Sequence, residues 1–221
     1  MKHWTIDKET REVIGCGDTD KWNMPRNVLL VDPLPPKEGF AVVAKTDLSG
    51  TEYVSNYRGK TIYNKVNPLE SKQVENLGEI EEGWTLTRPP HQYVIWDEAQ
   101  TNWQNDIEKR RAAKNAEIKA WRDSQENGSD LIVTVDSIDW NADPAARNHI
   151  INAKSSSFQQ PFWTDAHNVD QTEFDLQKIF DAFVVRGSEI HQRKREMNEF
   201  IEACQTFEEI DEFVVGWNVE E

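Results

Sequence analysis

The segment from Asp139 to Asp143 has the residue types and spacing that open a calcium-binding loop. Its DWNAD run places oxygen-bearing side chains at the first, third and fifth positions. The sixth position is Pro144, where such a loop needs glycine, and the twelfth is Ile150, where it needs a bidentate Glu. Asp143 followed by Pro144 is typical of a helix N-cap and first helical residue. We therefore predict the start of a helix here and no metal site.

Other candidate reactive groups are equally weak. Asp165, His167 and Asp170 could be drawn as a metal or acid–base group, but short polar side chains before a helix are commonly turn and cap residues. The five histidines are scattered and show no HExxH spacing, and the sequence contains neither a phosphate-binding glycine loop nor a GxSxG elbow. We predict no cofactor, no metal and no enzymatic activity.

Aromatic residues are the more informative group. Trp84, Trp96 and Trp103 lie within twenty residues of each other, close to Tyr93 and His91. Such residues either fill the core of a small β-domain or form a protein-binding face, because Trp, Tyr and Arg dominate interface hot spots. Exposed aromatic rings could also stack on sugars. The sequence leaves these uses open.

The elements that must position these residues change in character near residue 105. Residues 1–104 contain short runs of strand-forming residues between proline-containing turns, which predicts strands at 28–31, 40–43, 61–63 and 93–96. Residues 105–126 are a helix candidate that ends near Asn127 and Gly128.

The remaining segments predict mostly helix. A strand is expected at 131–135, a helix from Pro144 to about Ser155, and a short extended piece at 162–163. A long amphipathic helix should run from about Thr172 to Cys204, followed by a capping box at 206–209 and a short helix. The buried stripe of the long helix is predicted to contain Leu176, Ile179, Phe180, Phe183, Val184, Ile190, Met197, Ile201 and Cys204, and the short helix to carry Ile210, Phe213 and Val214.

Together these patterns predict an α+β protein. A small β-rich N-terminal module at 1–104 is followed by a mainly α-helical acidic module at 105–221, with one or two short strands. The first carries 12 basic and 16 acidic side chains and the second 13 and 24. The formal net charge of −15 disfavours nucleic acid and anionic membranes as partners. Two distant cysteines and the lack of an apolar leader fit a reduced cytoplasmic protein.

Several runs in the N-terminal module resemble the core of phage tail fibre assembly proteins. They are DPLPP at 32–36, YRGKTIY at 57–63, VENLGEI at 74–80, GWT at 83–85 and PP at 89–90, followed by Trp96 and Trp103. The second half, with FWTDA at 162–166 and IEACQTFEEI at 201–210, resembles an uncharacterised domain often found at the C-terminus of these proteins. The order and joint occurrence of the runs carry the resemblance.

The resemblance implies a tail fibre chaperone. Such a protein would bind the C-terminal region of the fibre protein in the host cell cytoplasm and promote its folding and trimerisation. The alternative is a structural fibre-tip protein that stays on the virion and contacts host surface glycans, and a glycan hydrolase is a third, disfavoured possibility. The expected fibre-contacting residues lie in the segment that carries the resemblance: Arg58, Tyr63, Trp84, Trp96 and Trp103.

Overall fold

The computed structural model describes residues 1–158 and 160–218. The chain divides into two compact units, Met1–Asn105 (unit 1) and Asp106–Glu221 (unit 2). Unit 1 is β-rich and unit 2 is mainly helical, which confirms the predicted α+β class. None of the helices within the described ranges has the length and apolar character needed to cross a bilayer.

Unit 1 consists of short strands in several small antiparallel sheets. In chain order the strands are β1 (Lys2–Ile6), β2 (Val13–Asp18), β3 (Val28–Leu29), β4 (Phe40–Ala44), β5 (Thr51–Ser55), β6 (Thr61–Asn64), β7 (Ser71–Gln73), β8 (Trp84–Thr85), β9 (Val94–Asp97) and β10 (Asn102–Asn105). Their sheets have the orders β2-β1-β3, β4-β5, β7-β6-β8 and β10-β9. A cluster of Ile6, Leu29 and Ala44 is buried under the first of them.

The strand predicted at 28–31 is shorter than expected. β3 pairs with β1 only through Val28 and Leu29, and Leu30 and Val31 are exposed. Pro33 follows two residues later, and proline has no backbone N–H to donate to a neighbouring strand. The chain therefore leaves the sheet after Leu29. The strands predicted at 40–43, 61–63 and 93–96 correspond to β4, β6 and β9.

The described part of unit 2, residues 106–158 and 160–218, contains four helices and four short strands. In chain order these are α1 (Ile107–Asn127), β11 (Ile132–Val135), β12 (Ile138–Asn141), α2 (Pro144–Ser155), β13 (Trp163–Thr164), β14 (Asp170–Gln171), α3 (Leu176–Ala203) and α4 (Phe207–Glu212). The strands form two antiparallel hairpins, β11–β12 and β13–β14, where one or two strands were expected. The predicted caps are confirmed at Asp143, whose carboxylate accepts two backbone N–H groups of α2, and at Thr206, which forms a capping box with Glu209.

Two buried clusters lie along α3. The first, the Trp140 cluster, joins the β11–β12 hairpin and α2 to the beginning of α3 and contains Val133, Trp140, Ala142, Ile150, Ile179 and Phe183. The second, the Met197 cluster, joins α1 and α4 to the end of α3 and contains Ile118, Met197, Ile201, Cys204 and Ile210. α3 therefore connects both halves of the core of unit 2.

The predicted stripe of α3 is largely confirmed but narrower than expected. Ile179, Phe183, Ile190, Met197 and Ile201 are buried, while Leu176 and Phe180 are half-buried against the Trp140 cluster. Val184 is 56% exposed, so its assignment to the stripe is wrong. The buried residues are separated by four or seven positions, so they form a narrow stripe along one side of the helix. Val184, one position after Phe183, lies outside this stripe. Val214 is also exposed, because α4 ends at Glu212.

Candidate functional site

The aromatic residues of unit 1 are carried by two small β elements. In the β7-β6-β8 sheet, Tyr63 of β6 lies opposite Thr85 of β8, and Asn64 lies opposite Trp84. In the β9–β10 hairpin, Trp96 lies directly opposite Trp103, and the two rings meet edge to face with their centroids 5.2 Å apart. This geometry is favourable for aromatic pairs and adds to the free energy gained by their burial.

Two contacts join the sheet to the hairpin. The indole N–H of Trp103 donates to the carbonyl oxygen of Thr87, just beyond β8, at 2.8 Å. Lys65, which follows β6, places its ammonium nitrogen 5.1 Å from the centre of the Trp96 ring and 2.9 Å from the carboxylate of Glu98. This ion pair holds the pKa of Glu98 below its usual range. The structure thus brings Tyr63, Trp84, Trp96 and Trp103 into two connected elements, which we call the aromatic region.

The tryptophans of this region differ in exposure. Trp103 is only 6% exposed and belongs to the core, so it can support a contact surface but not form one. Trp84 and Trp96 are half-buried, and each ring has a lysine over it. Lys72 lies 4.4 Å from the centre of the Trp84 ring and pairs with Glu81 at 2.5 Å. Such cation–π contacts stabilise the position of the ring.

Arg58 makes its contacts elsewhere in unit 1. Its guanidinium binds both carboxylate oxygens of Glu12, at 3.0 and 2.8 Å, and its Nε donates to Asn56 at 3.0 Å. These bonds connect the turn after β5 to the start of the chain's second strand across 46 residues. Arg58 therefore has a clear structural role apart from the aromatic region.

Apolar side chains beside the aromatic region are far more exposed than its tryptophans. Val66 is 84% and Leu69 is 73% exposed, and both lie in the turn between β6 and β7. Asn64 accepts hydrogen bonds from the backbone of Val66 and Asn67 at 2.8 and 3.1 Å, which fixes the turn. We call residues 64–69 the 64–69 turn. A rigid turn that displays two large apolar side chains is already ordered for a partner and loses little entropy on binding.

Sequence reasoning missed these two residues. The signal that identifies them is the presence of Val66 and Leu69 inside an Asn- and Pro-containing turn, where the neighbouring residues are polar. Leu86 and Ile95, in the same part of the chain, are also exposed, at 39% and 53%. Together with Trp84 and Trp96 they make this part of unit 1 a candidate protein-binding surface.

The carboxylates singled out as possible ligands have structural partners. Asp143 caps α2, and Asp165, 5% exposed, accepts hydrogen bonds from the backbone N–H groups of His167 and Val169 and from the side chain of Gln171. These bonds, above all that from Val169, lower the pKa of Asp165. Asp139 accepts a hydrogen bond from Thr134 at 2.6 Å. Within residues 1–158 and 160–218, His, Cys, Asp and Glu form no group of three suited to a metal ion.

Comparison with known proteins agrees with the resemblance seen in the sequence. Residues 109–215 match a family model described as a domain of unknown function, DUF4376. The chain is 30% identical over 124 residues to the prophage tail fiber assembly protein homolog TfaE of Escherichia coli K12, covering 55% of this chain and 60% of that protein.

Two further relatives bear similar names. A tail fiber assembly protein homolog of Escherichia coli is 32% identical over 90 residues, covering 41% of this chain and 43% of its own. The tail fiber assembly protein of Escherichia phage lambda is 27% identical over 127 residues, covering 56% and 64%. The alignments thus span less than two thirds of each relative. No solved structure matches the chain.

Proposed function

We propose that this chain, similar in sequence to tail fibre assembly proteins, is a chaperone that binds the C-terminal region of a phage tail fibre protein and promotes its folding and trimerisation. The similarity to relatives whose names state a role in tail fibre assembly supports the proposal. The observation that carries it is the exposed apolar 64–69 turn next to the aromatic region. The proposed place of action is the cytoplasm of the infected host cell, and no catalysis is assigned.

The physical need for such a partner follows from how fibres form. Intertwined trimers depend on contacts between residues that are distant in sequence or in different chains, and such contacts form slowly. Until they form, unpaired strand edges and apolar side chains invite aggregation. A partner that covers this surface with a rigid apolar surface of its own suppresses the competing association.

The two units suit different parts of this task. Unit 1 presents the large exposed side chains Val66 and Leu69 beside half-buried tryptophans, whereas residues 105–221 carry 13 basic and 24 acidic side chains. A strongly acidic surface opposes association between complexes and keeps them dispersed. We assign fibre binding to unit 1 and solubility of the complex to unit 2.

A structural protein retained at the fibre tip is the second candidate. Burying the exposed side chains of Val66 and Leu69 against the fibre would stabilise the complex. This favours a complex that persists after assembly. Purified virions distinguish the two functions, because a chaperone that is released is absent from them and a tip protein is present.

Co-expression with a phage tail fibre protein tests the proposal. The full chain should increase the yield of soluble trimeric fibre and co-purify with it. Replacing both Val66 and Leu69 by Ser should weaken capture by about 2 kcal/mol or more if they are hot spots, roughly thirtyfold in Kd. The melting temperature should hardly change, since both side chains are exposed.

A matched variant serves as the control. Val184 and Val185 are each 56% exposed on α3, so replacing both by Ser removes two exposed apolar side chains from unit 2. This variant should capture the fibre as the wild type does. Loss of capture in the control, with normal capture by the Val66 and Leu69 variant, would assign fibre binding to unit 2 instead.

A further inference from the structure

One edge of the first sheet of unit 1 lacks a neighbouring strand over most of its length. In the order β2-β1-β3, the six-residue strand β2 lies at the outside. The start of its outer edge is covered, because Glu12 bridges to Val43 of β4 and the N–H of Ala44 donates to the carbonyl oxygen of Arg11 at 2.9 Å. Beyond this bridge, no strand within the described ranges pairs with the outer side of β2.

The backbone groups that face this free edge follow from the hydrogen bonds of the β1–β2 ladder. Met1 and Thr19 bond each other in both directions, at 2.5 and 3.2 Å. Hydrogen-bonded and non-hydrogen-bonded pairs alternate along an antiparallel ladder, so Gly17 bonds to β1, whereas Cys16 and Asp18 do not. The N–H and C=O groups of these two residues therefore point away from β1. Their backbones have no hydrogen-bond partner on that side in the part of the chain that the structure describes.

Residues that normally protect an exposed edge are missing from this segment. Natural edge strands are commonly blunted by lysine, by proline or by a charge that points into the sheet. Residues 14–17 have the sequence IGCG, which contains no charge and no proline, and the side chain of Ile14 is 62% exposed. An unpaired edge of this kind is a template for the addition of a strand from another chain.

The two glycines of β2 indicate the shape of the strand that fits. A Cβ atom at Gly17 would lie 3.0 Å from the ring of His3, so this ring already covers Gly17 from β1. A Cβ atom at Gly15 would meet no described atom within 4 Å, so the surface over Gly15 is open. Aromatic and branched side chains on a neighbouring strand commonly cover such edge glycines. The edge therefore fits an extended segment that has large apolar side chains at alternate residues.

A second copy of this chain fits the edge poorly. Antiparallel self-pairing centred on Cys16 places Gly15 opposite Gly17, which leaves the open surface uncovered, and each copy has a net charge of −15, which opposes association. We infer instead that β2 adds an extended strand of the tail fibre protein through the backbone of Cys16 and Asp18, with a large apolar side chain over Gly15. This inference rests on the proposed function, in which the incomplete fibre has unpaired strand edges.

Substitution of Cys16 tests the backbone pairing. Cys16→Pro removes the outward N–H and places a ring at the edge, and proline is tolerated where an edge strand faces solvent. It should weaken fibre capture about tenfold or more, the effect of at least one lost hydrogen bond, while circular dichroism shows an intact fold. Cys16→Ser keeps the N–H and should capture the fibre as the wild type does. In the wild type, hydrogen exchange measured by mass spectrometry should show that residues 14–18 gain protection when the fibre binds.

A second variant tests the open surface without changing any outward N–H group. A Cβ atom at Gly15 has room in the described structure, so Gly15→Val should fold. The valine side chain takes the space expected for the side chain of the fibre, and capture should weaken severalfold. This variant also decides the matter if Cys16→Pro does not fold.

A short capped peptide of alternating valine and threonine separates this inference from the proposed function. It should protect the amides of Cys16 and Asp18 in the full chain, as measured by NMR, whereas the same peptide N-methylated at every residue, which has no N–H to donate, should not. Protection by the peptide without capture of the fibre would contradict the proposed function and support a strand-accepting edge.

Four results overturn the inference. The fibre is captured without protection of residues 14–18, Cys16→Pro and Gly15→Val capture the fibre as the wild type does, or neither the fibre nor the peptide protects these residues. The fourth is that the free chain is a dimer that Cys16→Pro dissociates, since the edge would then bind a second copy.

Discussion

Unit 1 and unit 2 are stabilised in different ways. In unit 1, strands of two to six residues form four separate sheets. A buried cluster there contains just three residues, Ile6, Leu29 and Ala44. Other buried side chains, such as Ile62, Val94 and Trp103, are distributed among the small sheets. Bonds from side chains to turns and lysine–aromatic contacts hold these pieces together.

Unit 2 is organised by one long element. α3 is 28 residues long and contributes to both the Trp140 cluster and the Met197 cluster. Charged side chains support the second cluster from its edge: Arg110, 7% exposed, binds Asp211 and Glu117, and Lys114 donates to the carbonyl oxygen of Phe213. Because α3 contributes to both clusters, we expect unit 2 to unfold cooperatively.

The difference shows how each unit can serve a binding function. Unit 2 also exposes large apolar side chains, such as Phe158, Val184 and Val214, but it carries 24 acidic side chains against 16 in unit 1. A unit built from small sheets must leave part of its large apolar side chains at the surface, because two or three strands cannot cover them. Covering these exposed apolar side chains, Val66 and Leu69 among them, is how a partner would gain most of its binding free energy.

Trp103→Ala should have the largest effect on stability and should confine it to unit 1. The substitution removes the ring opposite Trp96 and the hydrogen bond to Thr87, and should cost about 3–5 kcal/mol, as for other buried aromatics. Hydrogen exchange measured by mass spectrometry should show the loss of protection in peptides of unit 1. Trp22→Ala, at a site that is 90% exposed, should stay within about 0.5 kcal/mol of wild type. An equal loss of protection in unit 2 would show that the two units unfold together.

Met197→Ala should produce a comparable or smaller effect in unit 2. Met197 is fully buried against Ile118, Ile201 and Ile210, so the cost should be about 2–5 kcal/mol. Val184→Ala on the same helix is the control, because its side chain is 56% exposed and Ala favours helix. Chemical denaturation followed by the helical circular dichroism signal measures both. Similar losses in the two variants would mean that the seam of α3 is wider than the structure shows.

These two units also differ in what the sequence predicts. The helices of unit 2 follow from contacts within a few residues: the four-residue spacing of α3, the Asp143 cap and the Thr206–Glu209 capping box are all local. The width of the stripe was wrong, since the exposure of Val184 depends on which neighbours α3 packs against, and Val214 lies beyond the end of the short helix. The four short strands exceeded the predicted one or two: β12 and β14 were missed, and strands of four and two residues give too short a pattern to detect.

The candidate site was harder to predict for a related reason. Burial of Trp103 depends on its partner Trp96 and on Thr87, 16 residues away, and the role of Arg58 depends on Glu12, 46 residues away. In a four-residue strand the alternation of polar and apolar side chains is too short to show which face of the sheet is buried. The expectation that these five residues lie in or next to a fibre-contacting surface stays a prediction: Arg58, Tyr63, Trp84, Trp96 and Trp103.

Asp165→Asn should show that a buried carboxylate fixes the β13–β14 hairpin. The N–H groups that bind Asp165 lower its pKa in the folded state. Its stabilising contribution is therefore present above the unfolded pKa of about 4 and is lost as the pH falls through the lower folded value. Protection of the amides of residues 163–171, expressed relative to the intrinsic exchange rate at each pH, should fall in acid for the wild type. Asp165→Asn should lower this protection at neutral pH and make it less dependent on pH. Asp170→Asn, at an exposed position of the same hairpin, should retain it.

Thr206→Ala should have the smallest effect and shows how much of unit 2 depends on local capping. The Thr206 hydroxyl accepts from the N–H of Glu209 at 3.2 Å, and the Glu209 carboxylate accepts from the N–H groups of Gln205 and Thr206 at 2.7 and 3.1 Å. Alanine removes the first bond only, so the loss should be about 1 kcal/mol. Thr206→Ser keeps the hydroxyl and should behave as wild type. Since α4 also inserts the fully buried Ile210 into the Met197 cluster, a loss above about 2 kcal/mol would mean that the cap positions this side chain, which would make the core of unit 2 depend on local bonds as unit 1 does.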